Sequence, residues 1–191
     1  MNIQNILIFA VVVVVVWCLV IYLWPRMLLS VYKKAILGHG MGDDPIPINT
    51  LFIEPKEVFA DPLSTLTSAP RVMTSGVNRD TLMILGWLDL ARGALVLHVP
   101  NMNNRYYSVQ FTDPSKNTNF AYVGKRATGT QVGDYLITGR SWKGQVPEHM
   151  KQITSPNNSV VVVGRVLVNN DSDVATAYAL AKQIRLTPLG S

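Results

Sequence analysis

The sequence has a single cysteine, Cys18, so no disulfide framework can hold the fold together and no cysteine-rich zinc module is available. Charge is sparse as well. Charged residues make up 15% of 191, well under the quarter usual for a soluble domain. Hydrophobic residues make up 48%, and the mean hydropathy is +0.20. That is too much apolar matter for a chain whose main state is disorder. The net charge of +5 is mild, and its basic residues are scattered. No basic patch marks a nucleic-acid partner, and none is expected. No internal repeat is present.

Charge is missing altogether before Arg26. From Ile6 to Trp24 every residue is apolar or aromatic. About 20 such residues cross a hydrocarbon core as a helix. In lipid the backbone must bond within itself, so the valine run Val11–Val16 is predicted helical despite its β preference. Trp17, Tyr22 and Trp24 suit an interfacial aromatic belt. A cleaved signal peptide would need a basic start and a small-residue cleavage site. This stretch has no basic start and ends in Trp24-Pro25-Arg26, so an uncleaved anchor is expected. It carries no ionisable group suited to moving ions or protons. Arg26, Lys33 and Lys34 follow it, and by the positive-inside rule they favour a cytoplasmic C-terminal domain.

The chain divides into residues 1–37, the anchor with a juxtamembrane helix; 38–69, a Pro-rich extended connector with one short helix near Glu54–Ala60; and 70–191, a β-rich domain. Expected strands are Leu82–Asp89, Ala94–Val99, Tyr106–Thr112, Phe120–Val123, Asp134–Thr138 and Val160–Val168. Turn signals separate them. The apolar run Val160–Val163 marks a central strand. A C-terminal helix is expected from Asp171 or Ser172, with Asp173 in its first turn and Lys182 and Arg185 near its end. The fold class is therefore mainly β: an antiparallel sandwich-like domain with a C-terminal α-helix, preceded by one transmembrane helix.

Sites are harder to find. His39, His98 and His149 lie far apart with no ligand spacing, so no metal is expected. No serine sits in a Gly-x-Ser-x-Gly elbow, and Gly129-Thr130-Gln131-Val132-Gly133 has no lysine for a phosphate loop. No catalytic residue and no cofactor are assigned. Two polar segments remain: Asn78-Arg79-Asp80-Thr81 and Arg105-Tyr106-Tyr107. Their charges favour structural ion pairs, and equally suit a pocket for an anionic or polar ligand.

Asn78-Arg79-Asp80-Thr81-Leu82 resembles the signature of the bacterial family called domain of unknown function 1254. The likeness continues through Trp87-Leu88-Asp89-Leu90, Arg105-Tyr106-Tyr107-Ser108-Val109-Gln110, Asp113, Gly133-Asp134-Tyr135-Leu136, Trp142-Lys143-Gly144, Ser155-Pro156-Asn157, Gly164-Arg165 and Leu186-Thr187-Pro188-Leu189. Met83 departs from it, standing where the family usually has tyrosine. The resemblance implies a β-sandwich and supplies no reaction. It also implies a companion module, domain of unknown function 1214, on a separate protein. Export is common among the relatives, so the β-domain is expected on the periplasmic side of a bacterial inner membrane, against the charge count.

The expected function is a single-pass, membrane-anchored accessory subunit of an envelope complex, its partners being the bilayer and other membrane or envelope proteins. The alternative is a ligand-binding or enzymatic domain. Its pocket would be built from Asn78, Arg79, Asp80, Arg105, Tyr106, Tyr107 and Arg165.

Overall fold

Apolar side chains all round the N-terminal helix and alternating ones after it divide the chain. A computed structural model describes residues 2–39, 45–56 and 80–190. Two units result, Met1–Ala35 and Ile36–Ser191.

The first unit lies within helix α1, Ile3–His39, which is long and apolar enough to cross a membrane. The valine run is helical, as the lipid argument requires. From Ile3 to Pro25 the helix rises about 35 Å, slightly more than a hydrocarbon core. Pro25 lies inside it, and Met27–Leu37 continues it. Arg26 folds back over the Tyr22 ring at 3.8 Å, and its Nη1 donates to the Tyr22 carbonyl at 3.4 Å. The guanidinium thereby lies against an aromatic face one turn before it.

The second unit holds two sheets. One contains β1 (Leu51–Ile53), β2 (Thr81–Asp89), β8 (Ser159–Leu167), β4 (Tyr107–Asp113) and β5 (Thr118–Gly124), in that spatial order and all antiparallel. The other runs β7 (Met150–Thr154), β6 (Gly133–Thr138), β3 (Leu95–Val99), β9 (Arg185–Pro188). All six expected strands are present. Three elements differ from the sequence reading. β6 and β7 pair in parallel, so this sheet is mixed. Leu51–Ile53 forms an edge strand inside the 38–69 segment, with too few residues to show a period. The C-terminal helix α2 is only Val174–Ala181, and Arg185–Pro188, expected to end it, is strand β9 on the edge beside β3. Proline is tolerated there because an edge strand has one unpaired side. The short helix expected near Glu54–Ala60 lies largely outside the described residues.

The inward faces of both sheets meet in one core. Leu82, Ile84 and Leu88 of β2, Val109 and Phe111 of β4, and Val160, Val162 and Val166 of β8 face Leu95, Leu97 and Val99 of β3 and Tyr135 and Ile137 of β6. Ala177 and Ala181 of α2 join them. Leu85 and Trp87 are buried too, on the other face of β2. The crossover between the sheets is pinned by Asp113, which is 1% exposed. Its Oδ1 accepts from the Ser115 amide at 2.9 Å, the Ser115 hydroxyl at 2.7 Å and Asn157 Nδ2 at 2.6 Å. Burial pushes this carboxyl up, but the Ser115 and Asn157 bonds and the nearby Lys116 charge outweigh it and hold it below its ordinary value.

Gly164 fills the inward position on β8 between Val162 and Val166, opposite Ile84. A methyl group there would lie 2.8 Å from the Ile84 Cβ, a branch point that cannot swing away. Gly164→Ala is therefore expected to overpack the core and cost about 1–3 kcal/mol. Thermal unfolding checks this: an unchanged or higher Tm would contradict it.

Candidate functional site

Strand pleating decides which side chains meet outside the core. Val160, Val162 and Val166 of β8 point inward, so Arg165 points outward. Its cross-strand neighbours are Met83 on β2 and Ser108 on β4, and Ser108 in turn faces Gly124 on β5. The next outward row reads Leu85, Val163, Gln110, Tyr122. Over the β8–β4–β5 part of these rows lies a groove of about 500 Å3. Tyr106, just before β4, and Arg126, just after β5, complete its wall.

Four polar side chains of the groove have neighbours that hold them. Arg165 Nη1 donates to the Thr81 hydroxyl at 3.2 Å. The Arg126 guanidinium stands 5.6 Å from the centre of the Tyr106 ring. Asn119 Nδ2 donates to the Tyr122 hydroxyl at 2.8 Å, leaving the phenolic proton to donate elsewhere. Gln110 Nε2 donates to the Thr112 hydroxyl and to Asn119 Oδ1, at 3.2 and 2.9 Å. Gly124 allows β4 to come close: a Cβ there would lie 2.6 Å from the Tyr107 carbonyl oxygen.

Glu54 ends the Arg165 row on the far side. Its amide donates to the Met83 carbonyl, and its Oε2 accepts from the Met83 amide at 3.0 Å. Burial pushes its carboxyl up, against the Met83 bond and the positive charge of Arg165. No sequence signal marked Glu54, because it follows a three-residue strand in Pro-rich chain. Arg126 was missed for another reason: it sits in a turn with no pattern around it.

The sequence candidates therefore separate. Tyr106, Tyr107 and Arg165 come together at the groove. Within it Tyr107 is structural: its ring is buried in the core and its hydroxyl donates to the Gly129 carbonyl at 3.1 Å. Burial raises its phenol above the ordinary value. Arg105 is not in the groove. It forks onto Asp173 with bonds of 2.5 and 2.7 Å, and its Nη1 also donates to the Leu167 carbonyl at 2.7 Å. The two side chains are 11% and 15% exposed. Asp80 is not among the residues that line the groove; its carbonyl accepts from the Val168 amide. Asn78 and Arg79, and with them the expected Arg79–Asp80 pair, lie outside the described residues. Among the described residues no three His, Cys, Asp or Glu side chains gather as a metal-ligand set.

Comparison with known proteins adds a family. Residues 62–188 match the model described as "Protein of unknown function (DUF1254)". The chain belongs to that family. Both groove arginines, Arg126 and Arg165, fall inside the DUF1254 match. Met83, where this sequence departs from the family signature, is Arg165's cross-strand neighbour. The chain is also similar in fold to a solved structure, the VPA0106 protein of Vibrio parahaemolyticus. The TM-score is 0.63 at 24% identity, over 88% of this chain and 36% of that one. This chain thus spans about a third of that protein's length. No curated protein matches the DUF1254 chain described here.

The Arg105–Asp173 clamp gives a pH-dependent prediction. Arg105's bond, foremost, holds the Asp173 carboxyl down to about 2, from an ordinary 3.8. A depressed carboxyl contributes its stability fully above its unfolded value, and that contribution is lost as the pH falls through the folded one. Asp173→Asn is therefore expected to cost about 3 kcal/mol near pH 7, since it leaves a largely buried guanidinium without its counter-ion. The gap to the wild type should close between about pH 4 and pH 2. Denaturant melts across that range check it; a gap independent of pH would contradict the clamp.

Proposed function

We infer that this chain is a membrane-tethered binding domain whose groove on the five-stranded sheet takes an anionic group. The observation that carries this reading is the convergence of Arg126 and Arg165 on one groove in which, among the described residues, no carboxylate is a lining residue. Guanidinium forks match the planar or tetrahedral oxygens of carboxylate, sulfate or phosphate. Ser108, Gln110 and Tyr122 add neutral polar groups around them. Glu54, at the other end of the Arg165 row, balances that arginine when the groove is empty. An arriving anion would take over part of this role.

The tether is α1, read as an uncleaved single-pass anchor in a bacterial inner membrane, with the β-domain on the periplasmic side. Its length, its apolar surface and the export habit implied by the family resemblance support this. Arg26, Lys33 and Lys34 argue for the opposite side. Alkaline phosphatase fused after Ser191 separates the two: activity is expected, and an inactive but stable fusion would place the domain in the cytoplasm.

The binding reading predicts saturable uptake of inorganic phosphate by the full chain in mild detergent, measured by calorimetry. Arg165→Gln and Arg126→Gln should each weaken it about tenfold or more, the scale of a lost charge-assisted hydrogen bond. Both side chains reach solvent, so neither variant should unfold the domain. Absence of saturable binding, or wild-type affinity in either variant, would overturn the proposal. If the native protein then leaves the membrane in fixed ratio with a second protein, the accessory-subunit role replaces it.

A further inference from the structure

The outer face of the four-stranded sheet carries a second groove, of about 480 Å3. Here β6, β3 and β9 lie side by side, and their register sets Asp134, His98 and Arg185 in one row. Met150 of the parallel strand β7 extends that row beyond Asp134. His98 Nδ1 lies 2.7 Å from Asp134 Oδ1. A carboxylate accepts and does not donate, so Nδ1 carries the proton and Nε2 of the neutral ring keeps its lone pair. The imidazole is thereby fixed in one tautomer, with its second nitrogen left for a ligand. Both side chains are part exposed, at 28% and 32%. Arg185 is exposed, and among the described residues no carboxylate pairs with it.

Apart from Thr187, which faces Val96 across the β3–β9 pair, the rest of this groove is apolar. Val96, two residues before His98 on the same face, is 8% exposed. It clusters with Ala94 and Leu136, and Met150 and Leu189 pack against them. One end of the groove thus offers a free guanidinium and an oriented acceptor nitrogen, and the other a short hydrophobic surface.

We propose that this groove binds a small hydroxy carboxylate carrying a short alkyl chain. The Arg185 fork takes the carboxylate. His98 Nε2 accepts the ligand's hydroxyl proton, held in orientation by Asp134. The alkyl chain lies over Val96 toward Leu189. This site is on the opposite sheet from the two-arginine groove, and its test is independent of that one.

The probe is 3-hydroxybutyrate, titrated into the full-length protein in mild detergent while the His98 imidazole is followed by nitrogen-15 NMR. A saturable shift of His98 is expected. Butyrate, which lacks the hydroxyl, should bind about tenfold more weakly, and Arg185→Gln should weaken hydroxybutyrate at least as much. The rest of the Arg185→Gln spectrum should stay unchanged, because the side chain is exposed on an edge strand. No saturable shift at His98, equal binding of the two acids, or wild-type affinity in Arg185→Gln would each overturn the proposal.

Discussion

β8 hydrogen-bonds to β2 on one side and to β4 on the other, so its period-two alternation sets both faces of the five-stranded sheet at once. Val160, Val162 and Val166 are committed to the core. That commitment sends Arg165 outward, between Met83 and Ser108. A register slip of one residue would bury the guanidinium and expose three valines, which no domain of this size could sustain. The groove is thus a by-product of core packing: the same pairing that hides the valines presents the arginine. Gly164 belongs to this constraint, since it gives Ile84 room on the inner side of the same strand.

Arg105, Asp173 and Asp113 serve the frame and stand apart from the groove of Arg126 and Arg165. Arg105 reaches from just before β4 to Asp173 at the start of α2, and it also holds the Leu167 carbonyl at the end of β8. It joins the closing helix to the central strand. Asp113 does comparable work at the far end of β4, where Asn157 brings the loop before β8 against it. These two buried carboxylates are both held low by donors. Glu54 differs: burial dominates, and its carboxyl is pushed up.

The sheet strands were legible because their signal is local. Tyr107–Asp113 alternates buried and part-buried along its whole length, and Ser159–Leu167 does so around an apolar run. The strands that escaped notice are those whose pattern is set by partners far away. Leu51–Ile53 is three residues long, Met150–Thr154 carries no apolar alternation, and Arg185–Pro188 has charge and proline where a helix end was expected. All three are edges, defined by β2, β6 and β3 and not by their own periodicity. The candidate site followed the same division. Tyr106 and Arg165 stood in segments that resemble a family signature, and they meet at one groove. Arg105 stood beside Tyr106 in sequence, yet alternation and its reach to Asp173 take it elsewhere. Arg126, Glu54 and the His98–Asp134 pair depend on cross-strand register, which spacing along one chain does not encode.

The proposed anion site stands on the β8 register bringing Arg165 to the same groove as Arg126. A crystal structure of the full chain grown with sulfate tests it most directly. A sulfate is expected within hydrogen-bonding distance of both guanidinium groups, over Ser108, with the β2–β8–β4 register unchanged. A groove left empty at high sulfate, with Arg165 turned onto Glu54 and Arg126 pointing away, would contradict it.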